Sequence, residues 1–152
     1  MRPTPTIGWT ERIELPDLSP ASILAKIDTG ARTSALHAFD LEILKEGGAS
    51  IASFEVRPRR DSPKDAVRVQ CPVLEFRPVR SSNGQEEVRP VIETRARLGD
   101  IEWPIEVTLA GRDEMGFRML LGRAAVRDRF LVDPGRTHLM SPRTATRRDV
   151  KR

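Results

Sequence analysis

Asp28-Thr29-Gly30 is the stretch of this chain whose residue types could do chemistry. A carboxyl group held still at an accessible place can take up or give a proton, and so serve as a general base or acid. Thr29 can hold a turn with its hydroxyl, and Gly30 permits backbone geometry or a close approach that a Cβ would forbid. The acid needs a rigid support, and the preceding run Ser22-Ile23-Leu24-Ala25-Lys26-Ile27 offers one. Ile23, Ala25 and Ile27 alternate with Leu24 and Lys26, a period of two that predicts a strand ending at the acid. Alone, the tripeptide fits many ordinary turns.

The rest of the chain adds context. Far downstream, Phe117-Arg118-Met119-Leu120-Leu121-Gly122-Arg123 reads as an apolar strand ending in Gly-Arg, followed by a helix-like run from Ala124 to Arg129. Asp-Thr-Gly after an apolar strand, then apolar-apolar-Gly-Arg before a helix, resembles the retropepsin-type aspartic peptidases. A closer resemblance spans roughly residues 7 to 141. Ile7-Gly8-Trp9, Leu15-Pro16-Asp17-Leu18, Ala25 to Ala38, Ser81-Ser82-Asn83-Gly84, Met119 to Arg123 and Phe130-Leu131-Val132-Asp133-Pro134 together look like the RimB-like bacterial retropepsin family often labelled "ATP-dependent zinc protease".

That resemblance implies an all-β fold, the closed acid-protease barrel with one short C-terminal helix. It implies Asp28 as the catalytic acid, Thr29 as the link between two active-site turns, and Gly30 as the place where substrate backbone approaches. It also implies that the hairpin tipped by Arg80 to Gln85 is a flap closing over substrate. Substrate contacts are then expected from Lys26, Ala31, Arg32, Arg80, Ser81, Gly84 and Arg123. Two departures from viral relatives stand out: the flap tip has Gly84 as its single glycine, and Arg32 replaces the usual acid two positions after the Gly. With Arg32 and Arg123 both cationic, either the cleft reads an acidic peptide or these arginines pair internally with Asp128, Asp133 or Glu93. Members of the family are linked with an ATP-grasp ligase that adds glutamates to a ribosomal protein, so a glutamylated tail is an attractive substrate. ATP binding by this chain finds no support, since Gly-x-x-x-x-Gly-Lys-Ser/Thr is absent.

Aspartic proteolysis needs two carboxyls sharing one proton, one to activate water and one to polarise the scissile carbonyl. No second Asp-Thr-Gly or Asp-Ser-Gly occurs. The expectation is an isologous homodimer with Asp28 and its symmetry mate at the two-fold axis.

Composition sets the frame. A chain of 152 residues is one domain by size, and aromatic residues make up only 5% of it, so Val, Ile, Leu and Ala must fill the core. The net charge of +4 resides in the last ten residues, where Arg143, Arg147, Arg148, Lys151 and Arg152 face only Asp149. Residues 1–142 are therefore expected as the protease domain and 143–152 as a disordered basic tail. Cys71 is the single cysteine, which excludes an intrachain disulfide. With no signal-peptide core and no bilayer-length apolar run, the expectation is a cytoplasmic protein with no membrane contact.

Periodicity predicts the remaining elements. Strands are expected over Ile7 to Leu15, Thr33 to Leu44 and Ser50 to Val56, with a hairpin turn at Gly47-Gly48. Arg57 to Ala66 reads as a surface loop. Val67 to Val79 and Val88 to Leu98 form the arms of the long hairpin. In the second arm Val88, Ile92, Ala96 and Leu98 share a dry parity, while Arg89, Glu93, Arg95 and Arg97 share a charged one. Ile101, Trp103, Ile105, Val107 and Leu109 make the clearest strand, with Pro104 marking an edge or bulge. Phe130 to Val132 and Thr137 to Met140 are expected to close an antiparallel pair.

Two other functions compete with this reading. A zinc peptidase needs three protein ligands, and only His37, His138 and Cys71 are available outside the carboxylates, far apart in sequence; no metal or cofactor is expected. A non-catalytic ribosome- or RNA-binding module would use the basic tail and the charged hairpin face. Phe76 is the hairpin's lone aromatic, which leaves weak RNA contact through the tail as the expectation.

Overall fold

The computed structural model describes residues 3–80 and 83–146. In chain order the strands are β1 (Thr6–Gly8), β2 (Thr10–Ile13), β3 (Ile23–Asp28), β4 (Ser34–His37), β5 (Phe39–Glu46), β6 (Ala49–Val56), β7 (Val67–Pro72), β8 (Glu75–Arg80), β9 (Glu86–Leu98), β10 (Ile101–Ala110), β11 (Met119–Gly122) and β12 (Leu131–Asp133), with α1 at Arg123–Val126. The fold is all-β with one short helix, as the alternating patterns predict. Seven strands form one sheet in the order β2-β3-β11-β4-β10-β9-β8. Glu14 and Arg97 then exchange backbone hydrogen bonds at 2.9 and 2.8 Å, so the chain beyond β2 returns to β9 and the sheet curls onto itself. Its interior is filled by Ile13, Ile23, Ala25, Leu36, Ile92, Val107, Leu109 and Leu121, all buried.

Local patterns decide most strands, but tertiary partners decide where they break. Thr33 to Leu44 does not run as one strand. Ala38 donates its N–H to Ala110 at 2.8 Å, and the next residue begins β5, which joins β6 and β7 in a separate three-stranded sheet. The arm expected over Val67 to Val79 likewise divides at Val73-Leu74. Val73 donates to Ser50 in the small sheet and Leu74 to Val91 in the large one, so consecutive residues change partners. Gly47 and Gly48, both with positive φ, make the expected two-residue hairpin turn. Pro104 lies where β10 has β9 on one side and pairing with β4, which begins at Val107 opposite Ser34, has not yet started on the other.

The first and last segments differ most from the periodic reading. The run from Ile7 breaks at Trp9 into β1 and β2, and β1 pairs in parallel with β12. Thr137 to Met140 forms no strand. It instead belongs to a strap held by Glu11, whose buried carboxylate accepts from the N–H groups of Gly8 (2.7 Å), Leu139 (2.8 Å) and Met140 (3.2 Å) and from the Ser141 hydroxyl (2.6 Å). A buried charge persists only with such partners. The strap continues through Arg143, whose carbonyl accepts from Arg12 Nε at 2.9 Å, to Thr146, which exchanges hydrogen bonds with Ser22 at 2.9 and 3.0 Å. Residues 147–152, the rest of the expected tail, lie outside the described residues.

Glu11→Ala removes the shared acceptor of four donors and is expected to cost about 3 kcal/mol or more; urea denaturation should show a lowered midpoint. A second expectation concerns acid. Burial pushes the Asp113 carboxyl up, but hydrogen bonds from His37 (2.6 Å) and Arg118 (2.7 Å) outweigh it and hold its pKa below the usual value. A depressed carboxylate stabilises the fold above its unfolded pKa, about 3.9, and loses that contribution as pH falls through the lower folded value. The stability difference between wild type and Asp113→Asn should therefore be full at neutral pH and shrink in acid, read from denaturation curves across pH.

Candidate active site

β3 carries Asp28 at its end, and β11 runs parallel beside it with Gly122 in register with Asp28. The 28–34 turn is held from inside and from outside. Within it, Gly30 donates its N–H to Asp28 Oδ1 at 3.1 Å and Ala31 donates to the Asp28 carbonyl at 3.3 Å. From β11 and α1, the N–H groups of Arg123 and Ala124 donate to the carbonyls of Ala31 (2.7 Å) and Arg32 (3.0 Å), and Arg123 Nη1 donates to the Thr29 carbonyl at 2.9 Å. Gly122 donates to Ser34 Oγ at 3.0 Å, and a Cβ on Gly122 would stand 2.5 Å from the carbonyl carbon of Thr33. Only glycine fits there. The Leu-Leu-Gly-Arg run is thus the clasp of the acidic turn, and the Arg123 guanidinium is part of it. Neither Arg32 nor Arg123 forms an ion pair with Asp128, Asp133 or Glu93: Asp128 lies beside Arg127 and Asp133 beside Arg136.

Asp28 is half-buried at a cavity of about 120 Å³, which Ala31, Val79, Arg80, Arg89, Glu114 and Leu120 also line. The β8–β9 hairpin forms one wall, pairing Arg80 with Glu86, and Gly84 at its tip is exposed with positive φ. Ser81 lies outside the described residues. Lys26, on the same face of β3 as Asp28, reaches Met115 Sδ at 3.7 Å at the cavity's lip. Arg32 faces elsewhere. It lines a larger cavity of about 340 Å³ with Arg77, Trp103, Glu106 and Arg129, on the helix side of the turn.

Periodicity did not reveal the charged pair inside the small cavity. Arg89 is only 3% exposed and Glu114 only 5%, and they meet at 2.5 Å, while Val88, expected on the dry face, is 67% exposed. Near the tip the hairpin leaves the barrel, so the face that covers the core further along looks outward there, and the opposite face looks into the cleft. Glu114 is delivered by a tight turn through Met115 and Gly116, closed by reciprocal hydrogen bonds between Glu114 and Phe117. No local signal joins residues 25 positions apart. Among the described residues no three His, Cys, Asp or Glu side chains come together as a metal site, and His37 Nδ1 is engaged by Asp113.

Comparison with known proteins places this geometry in a family. The family model described as the retropepsin-like aspartic endopeptidase RimB matches residues 6–143. A probable alpha-L-glutamate ligase of Desulfotalea psychrophila is 44% identical over 128 residues, covering 84% of this chain and 28% of that protein. One from Parasynechococcus marenigrum is 46% identical over 132 residues, covering 87% of this chain and again 28% of the relative. The chain thus spans little more than a quarter of the length of the curated relatives it matches. The crystal structure of Lpg0085, a Legionella pneumophila protein of unknown function, superposes with a TM-score of 0.71 at 27% identity, covering 90% of this chain and 98% of that one. No helix among the described residues is long and apolar enough to cross a membrane. The chain belongs to the RimB-like family of retropepsin-like aspartic endopeptidases.

Proposed function

We propose that this chain is an aspartic endopeptidase that acts as a homodimer on acidic, glutamate-rich peptides, with a polyglutamylated ribosomal protein tail in the cytoplasm as the natural kind of substrate. The observation that carries the reading is the Asp28 carboxylate, held by its clasped turn at a cavity beneath a hairpin. Each chain brings one such turn, so two chains meet with their Asp28 side chains together. In such a pair one carboxyl keeps its proton. The ionised one takes a proton from water as the water oxygen bonds to the scissile carbonyl carbon, and the protonated one gives its proton to the carbonyl oxygen. The tetrahedral species collapses when the amide nitrogen is protonated and the C–N bond breaks.

Within this reading Thr29 links the two turns, Gly30 and Ala31 border the substrate backbone, and the Arg80 to Gln85 hairpin covers it. Lys26 and Arg80 bring positive charge to the cavity that Asp28 lines, which favours carboxylate-bearing side chains. Arg32 contributes a further cation from the neighbouring cavity, and Arg123 acts by holding the Thr29 carbonyl. The relatives named as glutamate ligases fit a pairing of opposite reactions, one adding glutamates and one cleaving them.

Asp28→Asn should remain folded and dimeric by light scattering and lose peptide cleavage by roughly a thousandfold or more. Wild type should cleave glutamate-rich peptides in preference to neutral ones, and do so in the presence of strong chelators. A monodisperse monomer that cleaves peptides, or an active Asp28→Asn variant, would sink the proposal.

A further inference from the structure

The sheet face that carries Asp28 leads to a second, basic groove. Cross-strand partners on that face run in rows, with Gly122 beside Asp28, Thr10 and Leu120 beside Lys26, and Arg12 beside Leu24. Paired residues share a side of the sheet, and Asp28, Lys26 and Leu24 sit at alternate positions of β3. They make a track of about 13 Å at the usual rise of a strand. At Leu24 the track opens into a groove of about 530 Å³ lined by Arg12, Arg59, Arg60, Arg143 and Asp61.

This groove carries net positive charge, with four arginines against the single lining carboxylate of Asp61. Arg59 is committed to the Asp65 carboxylate at 2.7 Å, but among the described residues Arg12, Arg60 and Arg143 make no carboxylate ion pair. Burial and the adjacent Arg59 charge both hold the Arg12 guanidinium pKa below its ordinary value. Groove and cleft share a wall. Arg118 Nη2 donates to the Arg60 carbonyl at 3.2 Å, the Arg60 guanidinium lies 6.0 Å from the Phe117 ring centre, and Phe117 closes the turn that presents Glu114 and Met115 to the cavity at Asp28.

We propose that this groove is a distal subsite that holds the acidic flank of an extended peptide whose scissile bond lies at Asp28, about four residues away. The inference rests on the peptidase reading above. An extended polypeptide fits a track of strand length, and arginines bind carboxylates in fork geometry. Nucleic acid fits less well, because among the described residues no aromatic ring lines the groove for bases to stack on.

Binding without turnover tests this in the Asp28→Asn chain, by fluorescence anisotropy with labelled oligoglutamates of about twelve and about four residues, only the longer spanning cleft and groove, and with an oligouridylate of comparable length to the longer. The double variant Arg60→Gln/Arg143→Gln should weaken the long peptide roughly tenfold, flatten its salt dependence and leave the short peptide unaffected, while Arg60→Lys/Arg143→Lys should recover most of the loss. Unchanged affinity for the long peptide in the Gln variant overturns the proposal. So does an oligouridylate that binds more tightly than the peptide and is lost with the same substitutions. If wild type cleaves nothing while groove-dependent peptide binding persists, the peptidase reading fails and the groove stands as an acidic-peptide site.

Discussion

The hydrogen bonds between the 28–34 turn and the segment from Gly122 to Ala124 are the constraint on which the rest of the molecule depends. They join two pieces of chain far apart in sequence and leave no room for a side chain at Gly122. Catalytic geometry has to be fixed to within a fraction of an ångström by groups that are themselves fixed. Here the fixing groups are mostly backbone. Ser34 adds a side-chain contact to Gly122 while its carbonyl accepts from Thr108 Oγ1 at 3.2 Å, so the turn is braced on β10 as well as β11.

Charge is distributed around this frame in a way that composition hides. A body with balanced cations and anions still gathers four arginines against Asp61 in the groove beside β2 and β3, while Asp17 on the rim of the sheet pairs with Arg95. The buried Arg89–Glu114 pair stands apart from this. It joins β9 to the 114–117 turn across the cavity, with Glu87 also bonded to Arg89, and as a buried pair it ties those two walls to one arrangement. The pair is therefore a device of position and contributes little net charge for binding.

Much of the fold was legible in the residues themselves. Ile23 to Asp28, Ile101 to Leu109 and the paired arms of the hairpin all follow from a period of two, because each has one face in the core and one in water. The resemblance of Asp28 to Gly30 and Met119 to Arg123 to known motifs located the clasped turn. What stayed hidden depends on residues distant in sequence. Ala38 and Val73 look like strand interior until their hydrogen-bond partners in two different sheets are known. Arg89 reads as solvated until the hairpin bends over the cleft, and Glu11 reads as surface alternation until the strap from Leu139 to Ser141 folds back on it. Arg32, expected as a substrate contact, lines a cavity with residues of α1 and β10 next to the one at Asp28.

The strap has a bearing on how the molecule is made. A ribosome delivers Glu11 early, and the donors at Leu139, Met140 and Ser141 arrive at the end of the domain, 128 to 130 positions later. Until then the carboxylate must stay hydrated, and β2 cannot seal against the interior without stranding a charge. Contacts of such long sequence separation form slowly. The nascent barrel therefore keeps one seam wet until residues 139–141 emerge to close it.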